Sequence, residues 1–76
     1  MNSGKHVRLT LEKIGDQFRG SILIYEEFTD RREESVDTFI ALSRNEALAV
    51  AQRTTARLGL VRFELDDRTG EPKEDR

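Results

Sequence analysis

Few residues in this sequence could carry out chemistry, and their spacing builds no reaction centre. There is no cysteine and only one histidine, His6, so neither a thiolate site nor a zinc site of neighbouring imidazoles is available. Adjacent carboxylates occur at positions 26–27 and 33–34. Neighbouring strand residues point to opposite faces, so the first pair cannot converge on a substrate. The second pair is interpreted as a solvated charge run in a loop.

Phosphate-binding and nucleophile motifs are also missing from the sequence. Neither Gly-x-Gly-x-x-Gly nor a Walker pattern occurs. A nucleophile triad would need His6 as its base, and this residue near the chain end is interpreted as a strand residue beside Tyr25. We therefore predict no catalytic residue, no cofactor, no metal and no enzymatic activity.

The overall composition predicts one small domain with a modest core. Seventy-six residues leave no room for two cores, and a domain of this size often gains stability from a partner. Charged residues make up 37% of the chain, with a net charge of -2, which indicates a well-solvated surface. No apolar run reaches membrane-spanning length, and the N-terminus has no signal-peptide core. We expect a cytoplasmic protein of bacterial or phage type.

Two alternating runs on either side of Gly15-Asp16 predict a β-hairpin. Val7, Leu9 and Leu11 alternate with polar residues before the turn, as in a half-buried strand. A two-residue turn sets Leu9 opposite Ile22 and gives one apolar face, whereas a slip of one residue would bury charges.

The stretch "VDTFIAL" predicts a third strand with four alternate residues facing the core: Val36, Thr38, Ile40 and Leu42. Matching these to the inward face of the second strand requires a connecting loop of odd length. One such register sets Phe28 opposite Val36, and Tyr25 opposite Phe39 on the outer face.

A helix follows, because Ser43 and Glu46 have the spacing of a capping box. The pattern predicts a helix over 44–58 with Gly59 as its C-terminal cap. Its inward stripe is narrow and rich in alanine: Ala47, Leu48, Ala51, Thr55 and Leu58.

The stretch "LVRFEL" predicts a fourth strand with Val61, Phe63 and Leu65 facing inward. The fold class is therefore α+β: a mainly antiparallel sheet in β-β-β-α-β order, with one helix packed on one face. We predict a flexible N-terminus over 1–5, a single domain over 6–66 and a disordered charged tail over 67–76. The fourth strand could lie beside the first strand or the third.

The sheet face without the helix predicts a contact surface. Leu23, Tyr25 and Phe39 are expected to lie there together with Ala41, and the alternative is ordinary exposed surface stabilised by cross-strand pairs. Contiguous apolar side chains with a polar rim mark interaction sites, and aromatic residues and arginine are frequent anchors. The predicted partner-binding residues are Leu23, Tyr25, Phe39, Arg8 and Arg62.

These features predict a small protein-binding module, acting as a regulator, adaptor or inhibitor. A homodimer is the simplest partner arrangement, and a foreign protein is the next. The alternative is a nucleic-acid-binding module that reads through the same sheet face, with phosphate contacts from five arginines: Arg8, Arg19, Arg31, Arg32 and Arg62. Many acidic residues lie between these arginines, and a sequence pI near 5.4 argues against non-specific binding to nucleic acid.

Overall fold

The protein is described here from a computed structural model, which describes residues 4–70. Its elements follow in chain order: β1 (Lys5–Ile14), β2 (Gln17–Glu27), β3 (Arg32–Ala41), α1 (Arg44–Arg57) and β4 (Glu64–Asp67). The strands form one sheet in the order β3-β2-β1-β4, and α1 packs on one of its faces. The predicted α+β class and element order are confirmed. The sheet is mixed, because β4 runs parallel to β1.

The hairpin of β1 and β2 has the predicted register. Ile14 lies opposite Gln17, and Leu9 lies opposite Ile22. Gly15 has a φ of +63°, the left-handed conformation that a primed turn requires and that glycine adopts without strain. The inward residues of β1 form the centre of the core: Val7, Leu9 and Leu11.

The register of β3 differs from the prediction. Four residues, 28–31, link β2 to β3, and the Phe28 N–H donates to the Arg31 carbonyl across this loop (2.7 Å). A loop of even length reverses which residues of β3 face the core, so Val36 pairs with Leu23 and not with Phe28. The predicted inward set is therefore wrong, and all four of its members are exposed: Val36, Thr38, Ile40 and Leu42.

Phe39 and Ala41 face the helix instead of the outer face. Phe39 pairs with Gly20, and its ring covers that glycine so closely that a Cβ placed there would lie 2.4 Å from the Phe39 Cζ. Ala41 is buried opposite Phe18. Apolar residues occupy both alternating sets of β3, so the pattern alone does not select a face, whereas the space above Gly20 accommodates a large ring.

The start of α1 is capped as predicted. The Ser43 hydroxyl accepts a hydrogen bond from the Glu46 N–H (3.1 Å), which satisfies one of the free donors of the first turn. The Glu46 carboxylate accepts from the Leu42 N–H (2.7 Å), one residue before the position expected in a capping box.

The end of α1 is a Schellman motif with Gly59 in the left-handed conformation (φ +78°). The Gly59 N–H donates to the Ala56 carbonyl and the Leu60 N–H to the Thr55 carbonyl, both at 3.0 Å. The predicted cap is confirmed. The face towards the sheet buries Ala47, Ala51, Thr54 and Thr55.

The fourth strand is shorter and later than predicted. Residues 60–63 form a link in which Val61 is 95% exposed, although Phe63 packs against the core. β4 lies beside β1, where Leu65 pairs with Leu9. The predicted inward position of Val61 is wrong, and Leu65 remains partly exposed beyond the core.

Asp67, predicted as the first residue of the tail, belongs to β4. Its carboxylate accepts hydrogen bonds from the Arg44 guanidinium (2.6 Å) and the Thr69 hydroxyl (2.7 Å). Burial raises the Asp67 pKa, but the hydrogen bonds from Thr69 and Arg44 outweigh it and lower the pKa to about 2. The Arg68 N–H also donates to the Leu11 carbonyl (2.8 Å). The remainder of the predicted tail, 71–76, and positions 1–3 of the predicted N-terminal segment lie outside the described residues.

Within residues 4–70, no helix combines the length and apolar content that a membrane crossing would require.

Candidate protein-binding site

The structure separates the residues that the sequence grouped into one contact surface. Arg8, Leu23 and Tyr25 lie on the outer face of the sheet, which is the face away from α1. Phe39 lies on the helix side, opposite Gly20. Arg62 lies in the link between α1 and β4. The predicted pairing of Tyr25 with Phe39 is therefore wrong, and neither Phe39 nor Arg62 joins the other three residues on the outer face.

Tyr25 is surrounded by side chains of its own sheet. The His6 ring stacks on it at 5.0 Å between centroids, and the Arg32 guanidinium lies 4.3 Å from the Tyr25 centroid. Arg8 is more distant, at 6.0 Å. Stacking and cation–π contacts of this kind stabilise an exposed aromatic residue locally. Tyr25 thus has packing partners without a second protein.

The middle of the outer face is polar. Thr10, Ser21 and Thr38 lie side by side on three neighbouring strands. They separate the Leu23–Val36 pair from Ile40, which lies further along β3. The apolar residues on this face therefore form two separate groups, and both groups include a residue of β3, at the margin of the face.

The arginines of the sheet and its loop are paired with carboxylates, which weakens the nucleic-acid alternative. Arg8 contacts Glu64 at 3.0 Å and Arg19 contacts Glu12 at 2.6 Å. The arginines around the second hairpin also have acidic partners: Arg31 with Asp30 and Glu33, and Arg32 with Glu27 and Glu34. A phosphate chain would have to compete with these carboxylates.

β3 forms one edge of the sheet in the described part of the chain. One side of this ten-residue strand pairs with β2, and within residues 4–70 no strand pairs with its other side. Three large apolar side chains are exposed on this strand or directly after it: Val36 (61%), Ile40 (56%) and Leu42 (71%). The opposite edge of the sheet, β4, has only four residues.

Charge protects only the first part of this edge. Arg32, Glu33 and Glu34 lie at its beginning, whereas Asp37 is the single charged residue among 36–42. Natural sheets commonly blunt exposed edges with charged side chains, proline or very short strands. Positions 35–41 contain no proline and no basic residue, so this part of β3 is open to a further strand.

A cleft of about 580 Å³ lies between this edge and α1. Apolar residues from both walls line it: Ile22, Phe39, Ile40, Ala41, Ala49 and Val50. Arg53 and Arg57 stand one helical turn apart on the α1 wall, and Asp37 and Glu46 also line the cleft. The Glu46 carboxylate is engaged by the Leu42 N–H at one end. The cleft therefore combines an apolar interior with two basic side chains.

Arg53 and Arg57 form no ion pair with any carboxylate in the part of the chain from residue 4 to residue 70. Asp37 lines the same cleft but is not within ion-pair distance of either. The sequence placed both arginines on the solvent side of the helix. It did not reveal the cleft, because that requires the correct face of β3. The mutual fit of Gly20 and Phe39 is the sequence signal that could have indicated this face.

The described residues contain no group of three or more histidine, cysteine, aspartate or glutamate side chains arranged to hold a metal ion. Glu33 and Glu34 are neighbours within β3, so their carboxylates project to opposite faces.

No protein-family model matches the chain, and no curated protein or solved structure matches it either.

Proposed function

We propose that this chain is a non-enzymatic protein-binding module that takes up an extended segment of another protein along the free edge of β3. The observation that carries the proposal is this edge: ten residues long, unpaired among the described residues, with its second half apolar and exposed. The partner would add a strand to the sheet, and its main chain would bond to the N–H and C=O groups of β3.

This proposal moves the contact surface from the centre of the outer face to its margin. The apolar outer-face residues Val36 and Ile40 lie on the edge strand itself, where they would meet alternate side chains of an added strand. The cleft beside α1 would receive the side chains that point the other way. A role as regulator, adaptor or inhibitor is consistent with such a module.

The test uses a displayed library of random twelve-residue peptides panned against the chain. Peptides that add a strand should slow the hydrogen exchange of β3 amides, because those groups become hydrogen-bonded. Ile40→Lys should weaken their binding at least tenfold, since a lysine on an edge opposes strand addition. Val61→Lys is the matched control, because it makes the same kind of change at an exposed site outside the sheet.

The proposal fails if the library yields no binder. It also fails if the selected peptides leave the β3 amides unprotected, or if both lysine variants bind them as the parent chain does.

A further inference from the structure

We infer that the segment bound at β3 carries an acidic side chain directed at Arg53 and Arg57, next to an apolar side chain in the cleft. This inference rests on the proposed function and specifies the chemistry of the partner. It combines the two arginines, which have no ion-pair partner among residues 4–70, with the adjoining strand edge, which no strand of that range covers.

The chain direction places the charges along the cleft. Leu42 follows β3 directly, and its N–H is held by Glu46, so the first turn of α1 lies at the end of β3. The helix then runs back against the direction of β3, because β4 begins parallel to β1 at the other end of the sheet. Arg53 and Arg57 therefore lie towards the middle of β3, away from Glu46.

The spacing of the two arginines matches that of strand side chains. Four residues of helix rise about 6 Å, and two residues of strand extend about 6.8 Å. Alternate residues of an added strand point to the same face. One or two successive cleft-facing positions of the partner can therefore meet Arg53 and Arg57 in turn, and the next position meets the apolar walls formed by Phe39 and Val50.

The balance of charge in the cleft favours a carboxylate at this point. Arg53 and Arg57 contribute two positive charges without an ion-pair partner among residues 4–70, and the acidic residues in the cleft lining are Asp37 and Glu46. An arginine binds a carboxylate through directed, charge-assisted hydrogen bonds. A lysine of the partner at the same position would be repelled.

A second copy of this chain fits the cleft less well than a foreign segment. Two β3 strands can pair antiparallel so that both helices lie on the same face of the joined sheet. Their apolar halves then align in two registers, one centred on Thr38 and one centred on Phe39. The residue opposite Asp37 is then Phe39 or Ala41 of the second copy. Neither carries a carboxylate, and the second copy's own Asp37 then lies opposite Phe39 or Ala41, towards the Leu42 end of the cleft. A foreign segment has no such restriction and can offer both side chains.

The experiment compares three synthetic decapeptides, capped at both ends, in which threonine and valine alternate. One cleft-facing position is glutamate in the first peptide, glutamine in the second and lysine in the third. Affinity is measured by fluorescence anisotropy at low and high salt, and hydrogen exchange of the β3 amides reports whether the edge is occupied. The glutamate peptide should bind at least tenfold more tightly than the glutamine peptide, and salt should reduce this advantage.

Arginine variants identify the residues responsible. Arg53→Glu should abolish the preference for the glutamate peptide and favour the lysine peptide. Arg62→Glu should change nothing, because this exposed arginine lies outside the cleft. Circular dichroism should show that both variants keep the helix.

The outcomes separate the two proposals. If all three peptides protect β3 with equal affinity, strand addition stands and the acidic preference is overturned. If none protects β3, both proposals fail. If sedimentation shows a dimer of the free chain that Ile40→Lys dissolves, a second copy occupies the edge and the inference of a foreign acidic segment is overturned.

Discussion

Replacing Gly20 with alanine tests the face that β3 presents to the core. A Cβ at this position would lie 2.4, 2.7 and 2.9 Å from Cζ, Cε1 and Cε2 of Phe39, so the ring has to move. Overpacking of this kind costs about 1–3 kcal/mol. Removing glycine from a strand returns roughly 0.4–1 kcal/mol through the unfolded chain. We expect Gly20→Ala to lower the free energy of unfolding by up to about 2.6 kcal/mol.

A double-mutant cycle adds a second substitution, Phe39→Leu, which removes the obstructing ring. Leucine has none of the three ring atoms that the new methyl group would meet, so Phe39→Leu opens the space above position 20. In that background Gly20→Ala should be neutral or stabilising, by up to about 1 kcal/mol. The two substitutions should therefore show a coupling free energy of about 1–3 kcal/mol, the range found for residues in direct contact.

Urea titration of the four proteins measures this cycle, with thermal unfolding as a second measurement. For a domain of this size, 1 kcal/mol corresponds to a shift in Tm of roughly 4–8 °C. If Gly20→Ala is as stable as the parent in both backgrounds, Phe39 does not cover Gly20. The register of β3 would then be wrong, and Phe39 would not line the cleft beside α1.

Two further predictions concern the polar contacts at the ends of α1 and β4. Ser43→Ala should lower the free energy of unfolding by about 1 kcal/mol, because the first turn loses the acceptor for the Glu46 N–H; an unchanged urea midpoint would show that the cap contributes nothing. Asp67 has a pKa of about 2 in the folded chain against an ordinary value of 3.8, so its contacts with Arg44 and Thr69 should stabilise the fold fully above about pH 4, and this contribution should disappear as the pH falls through 2. Asp67→Asn should therefore be less stable than the parent at neutral pH, and the two stability curves should converge in acid; a constant gap between them would contradict the assigned contacts.

Local sequence signals correctly predicted the first hairpin and the two ends of α1. The Gly15 turn fixes its own hairpin, since it supplies the positive φ and both strands alternate cleanly. Ser43 and Gly59 mark the ends of α1 for similar reasons. Each of these signals requires only a few neighbouring residues, so the sequence alone contains the necessary information.

The face of β3 depended on long-range contacts. Val36 and Ile40 form as good an apolar stripe as Phe39 and Ala41, so periodicity does not choose between them. The length of the 28–31 loop and the ring above a distant glycine decide the matter. The wrong face of β3 also led to the wrong candidate site, because the cleft exists only when Phe39 and Ala41 face the helix.

The fourth strand was misplaced for a related reason. The stretch around Val61 and Phe63 is more apolar than β4 and therefore looked more like a strand. The strand forms instead in the acidic stretch that includes Asp66 and Asp67. Its position depends on pairing with β1 and on the contact between Asp67 and Arg44. Neither interaction leaves a periodic signal within the strand itself.

The shortness of β4 has a consequence for how the protein can unfold locally and polymerise. β1 and β2 join through a short turn, and β2 and β3 through another, so these three strands can form early by local pairing. β4 must return across the sheet after α1 and is held by only four paired residues. It should therefore be the first strand to detach in local unfolding. Its loss would uncover the edge of β1 while the edge of β3 stays open, leaving a sheet that can grow from both sides. Acid, which weakens the contact of Asp67 with Arg44, should therefore favour the detachment of β4 and, through it, linear polymerisation of this chain.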